Sequence, residues 1–94
     1  MNIPRPLNIV EKYIESNEVL KNIVEEISKD MLENDKFPIE TLSFTANTTE
    51  KLTYNDVQAI KMLFEIYGWS LVHHYSYNKE DDFYKNIFMV TEKK

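Results

Sequence analysis

Two adjacent histidines, His73-His74, and a run of three carboxylates, Glu80-Asp81-Asp82, are the residue types in this chain best suited to holding a metal or moving a proton. Their spacing argues against both uses. Neighbours on a strand project to opposite faces, so consecutive imidazoles cannot share an ion without a bulge. A site centred on His73, His74 and Asp81 would need ligands from elsewhere, and it stands as the metal- or ligand-binding alternative. The Glu80–Asp82 run lacks the spaced oxygen ligands and the glycine of an EF-hand loop and fits a solvated turn.

Other routes to chemistry are missing parts. The chain has no cysteine, which removes disulfides, thiolate metal sites and a cysteine nucleophile. Its single glycine, Gly68 in Tyr67-Gly68-Trp69, leaves no nucleophile elbow, P-loop or dinucleotide fingerprint. Glu25 and Glu26 are adjacent on a helical pattern with no apolar wall to raise one pKa. The expectation is a non-enzyme, with no catalytic residue, no metal ligand and no cofactor.

Surface recognition remains. Formal net charge is −5, which argues against general affinity for nucleic acid. Residues 1–35 hold four basic and eight acidic groups, a net of −4, so the acidity sits in the N-terminal third. Glu11, Glu15, Glu18, Glu25, Glu26 and Glu33, with Asp30 and Asp35, could face a basic protein partner and steer its approach. The bland reading of such an array is a solvated helix face. A second candidate surface is the aromatic C-terminal hairpin, with Tyr75 and Tyr77 on one strand and Glu80, Asp81 and Asp82 on its turn. Its aromatics could stack bases, but only Lys79 and Lys85 lie among them, and cross-strand packing is the commoner role.

The elements that must position these groups follow from periodicity. Pro6 suits a first helical turn, and Leu7, Val10, Tyr13 and Ile14 recur at helical spacing to about Glu15. Ser16-Asn17 offers a cap for a second helix, whose stripe is Leu20, Ile23, Val24, Ile27 and Met31, with Leu32 beside it. One long bent helix over residues 6–34 is the alternative. Phe37-Pro38 marks a break. Ile39 to Ala46 alternates as a half-buried strand, with Leu42, Phe44 and Ala46 on one face. Thr53 caps a third helix whose apolar face is Val57, Ile60, Leu63, Phe64 and Tyr67, and Gly68 ends it. Trp69 to Tyr77 and Phe83 to Thr91 form a hairpin, and the second strand, apolar on both faces, belongs at the centre of its sheet.

The expected fold is α+β over residues 1–94 as a single domain. Two N-terminal helices precede a β-α-β-β segment, and its small three-stranded sheet packs on the helices. The 94 residues are 43% hydrophobic and 13% aromatic, enough for one core. No stretch approaches a membrane span and no signal-peptide pattern opens the chain, so the expectation is cytoplasmic and without a membrane partner. Ten lysines to one arginine, with nine Asn and nine Ile, point to an AT-rich gene of a low-GC bacterium or its phage.

The function expected is a protein–protein interaction module. The setting that fits is a phage or mobile-element accessory protein, or an inhibitor covering the basic surface of a host nucleic-acid-handling protein. A winged-helix-like DNA-binding regulator is the runner-up, although that fold places two helices between its first strand and its hairpin where one is found here. The clean N-terminal stripe would also allow a homodimer.

Overall fold

A computed structural model describes residues 2–34 and 41–93. Along the chain run α1 (Pro6–Glu15), α2 (Glu18–Glu33), β1 (Leu42–Thr48), α3 (Tyr54–Ile66), β2 (Trp69–Asn78) and β3 (Phe83–Glu92). This is the α+β order read from the sequence. The Phe37-Pro38 break and the first residues of the expected first strand lie outside the described residues.

Local chemistry sets the helix ends. Pro6 opens α1, and the Arg5 backbone N–H donates to Asn8 Oδ1 at 3.1 Å. Asn17 divides α1 from α2: its Oδ1 accepts from the N–H groups of Val19 and Leu20 at 3.1 and 3.3 Å, satisfying two donors that a helix start leaves unpaired. The two helices are therefore separate rather than one bent rod. At α3, Thr53 Oγ1 accepts from the Asp56 N–H and Asp56 Oδ2 accepts from the Thr53 N–H, both at 3.1 Å. The aspartate thus completes a reciprocal capping box. Gly68 closes α3 with φ +93°, a conformation that side chains with a Cβ resist.

The sheet is antiparallel throughout, in the order β1-β3-β2. β3 is central, as its two apolar faces require. Leu42 pairs with Val90 and Phe44 with Phe88 on one side of β3. Leu71 pairs with Val90 and His73 with Phe88 on the other. The helices cover one face only. Val10 and Ile14 of α1, Leu20, Ile23 and Ile27 of α2, and Ala59, Ile60 and Phe64 of α3 close over Leu71, Phe88 and Val90. The opposite face carries Ser43, Thr45, Val72, His74, Ile87 and Met89, and no described element lies over it.

Three positions depart from the expected stripes. Tyr67 fits the inner stripe of α3 by its spacing but is 62% exposed, because the chain is already leaving the helix at its C-cap. Leu32, beside the α2 stripe, is 87% exposed. Asn86, in the middle of β3, is fully buried among apolar neighbours.

Candidate partner-binding groove

The helices do not seal against one another along their whole length. Between the α1–α2 pair and the α3–β2 junction runs a groove of about 830 Å³. Its floor takes Ile14 from α1, Val24 from α2, Leu63 and Phe64 from α3, and Trp69 from the start of β2. Met31 and Leu32 of α2 and Tyr67 at the α3 C-cap extend it outward. Leu32 and Tyr67, the two apolar side chains most out of place by helical periodicity, are thus lips of one concave surface.

Charge is distributed around this groove with one sign dominant. Among the described residues, Glu11 and Glu15 border it from α1 and Glu25 from α2, against one cation, Lys21. Three of the candidate acidic residues are therefore brought together. Glu11 and Glu15 are four apart on α1, the spacing at which helical neighbours share a side, and Glu25 borders the groove from α2. Of the remaining acidic candidates, Asp35 lies outside the described residues and the others go elsewhere. Glu26 and Asp30 border a second hollow, about 380 Å³, on the other flank of α2 against Phe44 and Ala46 of β1. Glu18 sits in the first turn of α2 and Glu33 at its last residue, both exposed. The acidic surface is thus divided by α2 rather than continuous.

The hairpin is a separate region. Its turn is held by Asn78, whose Oδ1 accepts from the N–H groups of Glu80 and Asp81 at 3.0 and 3.1 Å. Asp82 has φ +53°, and its carboxylate accepts from the Tyr77 hydroxyl. The acidic turn is therefore partly committed to local structure. Tyr75 and Tyr77 are 50% and 46% exposed, so the cross-strand packing expected of them is incomplete. Tyr77 meets Tyr84 with ring centroids 4.9 Å apart, and Lys51 Nζ lies 4.7 Å from the Tyr75 centroid.

His73 and His74 diverge as strand geometry demands. His73 faces the helices, its Nε2 2.9 Å from Asn86 Oδ1, while His74 lies on the uncovered face opposite Ile87. Asn86 Nδ2 donates to Ala46 O and to Thr48 Oγ1 at 3.2 and 3.1 Å. With both amide hydrogens spent on oxygens, Oδ1 must accept, so His73 Nε2 carries the hydrogen. This bridge joins all three strands and explains the buried amide. Among the described residues, no group of three or more His, Asp or Glu side chains converges to hold a metal ion.

One long-range polar link escaped sequence reading. The Tyr13 hydroxyl donates to Asp56 Oδ1 at 2.8 Å, tying α1 to the cap of α3 and so fixing one wall of the groove against the other. That bond raises the Tyr13 pKa above its ordinary value, with desolvation and the carboxylate charge adding to it. Only the capping role of Asp56 has a local signature.

The runner-up reading makes α3 a recognition helix. Lys61 is its single cation and is half-buried. No helix is long and apolar enough to cross a membrane among the described residues. No family model, curated protein or solved structure matches this chain.

Proposed function

We propose that the chain is a non-enzymatic interaction module that seats a basic amphipathic helix of a protein partner in the groove between α1–α2 and α3. The observation that supports this is the groove's composition: an apolar floor bordered by Glu11, Glu15 and Glu25. A helix in a groove buries its apolar stripe on the floor and leaves its flanks at the rim. Rim carboxylates favour lysine or arginine on those flanks and disfavour acidic helices. Met31 adds a flexible contact that tolerates different apolar side chains. Basic helices are frequent in proteins that handle nucleic acid, and covering one would make this chain an inhibitor, as suits a phage or mobile-element accessory protein.

The test uses calorimetric titration of the whole chain with two helical peptides that share a leucine stripe, one with lysine flanks and one with glutamate flanks. The lysine peptide should bind, and its affinity should fall as salt rises. Leu32→Asp, at a largely exposed site, should weaken binding about tenfold, equivalent to about 1.4 kcal/mol, with the circular dichroism unchanged. Glu11→Lys combined with Glu15→Lys should exchange the preference between peptides. Equal binding of both peptides, or of neither, would overturn the assignment, and salt-insensitive binding would move the site to the hairpin.

A further inference from the structure

We infer that the free edge of β2 pairs with the same strand of a second copy, joining two sheets into one continuous six-stranded antiparallel sheet. This inference does not rest on the groove. Its basis is an edge that, among the described residues, carries none of the usual protection. Sheets guard their edges with lysines, prolines, bulges or very short strands, since an edge offers a row of unpaired N–H and C=O groups. β2 has ten residues and pairs residue for residue with β3, with no bulge in the register. Among the described residues, β3 is its only strand neighbour.

Charge singles out the same segment. Ile66 to Asn78 is the longest run in the sequence without Asp, Glu, Lys or Arg. A chain of net charge −5 repels its own copy over most of its surface, and the strand itself adds no charge to that repulsion. Val72, Tyr75 and Tyr77 are each close to half exposed on this strand, although valine and tyrosine favour paired, covered positions. The other edge strand, β1, is also uncharged but shorter, seven residues, and none of its large apolar side chains is exposed.

Symmetry then restricts the register. Antiparallel pairing of a strand with its own copy places a two-fold axis perpendicular to the sheet, with both sets of helices on one side. Residues meeting across the axis must share a face, so one residue sits opposite itself. The longest overlaps within β2 are Trp69–Tyr77, centred on His73, and Ser70–Asn78, centred on His74. Either brings one histidine to its own counterpart.

Because the chain has no native cysteine, single substitutions report this geometry directly. Opposed Cα atoms in an antiparallel pair are about 4.5–5.5 Å apart, inside the range of about 4.4–6.8 Å that a disulfide spans. Under mild oxidation, either His73→Cys or His74→Cys should become mainly a disulfide-linked dimer, while Lys12→Cys on α1 stays mainly monomeric. Sedimentation of the unmodified chain should give a dimer, and Val72→Lys should weaken it at least tenfold with the circular dichroism retained. A chain that stays monomeric at high concentration overturns the inference. So does cross-linking of neither histidine variant above the Lys12→Cys control. A dimer dissolved by Leu32→Asp but not by Val72→Lys would place self-association in the groove instead.

Discussion

Asn86 carries more of the fold than its size suggests. Its amide donates to two oxygens of β1 and accepts from His73 of β2, so one side chain on the central strand closes the hydrogen bonding of all three. Truncation to alanine strands the Ala46 carbonyl and the His73 N–H in a partly buried site and leaves a small void. Asn86→Ala should therefore cost about 2–3 kcal/mol in urea denaturation. His73→Phe, which unpairs only the amide oxygen, should cost less. Tyr13 and Tyr77 contribute to the alkaline pH dependence. Each has a pKa raised above 10.0, chiefly because its hydroxyl donates to a carboxylate, Asp56 or Asp82, with desolvation and the carboxylate charge following. A raised folded-state pKa means that the contribution is complete below the unfolded-state pKa and is lost as pH rises through the folded one. The affected window is therefore alkaline, above pH 10. Ultraviolet titration should show a late tyrosine phase that shrinks in Tyr13→Phe and in Tyr77→Phe, and alkaline loss of stability should be shallower in both. At this scale the divergence of His73 and His74 was legible, since a period of two is a local property. Asn86 was not: an asparagine within an apolar run reads as an interruption, and its β1 partners lie about forty residues away.

Elements were the most legible level, because caps and breakers act within a few residues of themselves. Asn17, Thr53 and Gly68 all stand where sequence placed a boundary. Gly68 permits a clean measurement. A Cβ built on it meets nothing within 4 Å, so substitution incurs backbone strain without a clash. Gly68→Ala should cost about 1–2 kcal/mol in thermal or urea unfolding, and chemical synthesis with D-alanine at this position should recover most of that loss. A full cost persisting with D-alanine would assign Gly68 a role other than its φ. Stripes were less legible at their ends. Tyr67 fits the helical period of α3, yet the helix stops before its side chain can turn inward. Leu32 is one position off the α2 stripe, and that displacement puts it on the lip of the groove.

On the scale of the whole molecule the groove was illegible for a physical reason. Its walls come from α1, α2, α3 and β2, and no periodicity within one element encodes the gap between four. Glu11, Glu15 and Glu25 were visible as charge, but which face they shared depended on how α1 and α2 pack. The shape is flat, with principal extents of 52, 35 and 20 Å. The shortest matches one helical layer on one sheet, which are about 10 Å apart between centres. The radius of gyration, 14.1 Å, exceeds the value of about 12 Å expected for a compact chain of this length. A flat particle has more surface for partners than a sphere of equal mass.

The strand order also has a consequence for biosynthesis. β1 and β2 do not pair with each other; among the described residues each is bonded only to β3, which follows both of them in the chain. Until residues after Asp82 emerge, the nascent chain holds helices and two solitary extended segments, with no ladder between them. Sheet formation is therefore delayed to one late, concerted step, and a translational stall before Phe83 would present chaperones with an unfinished core.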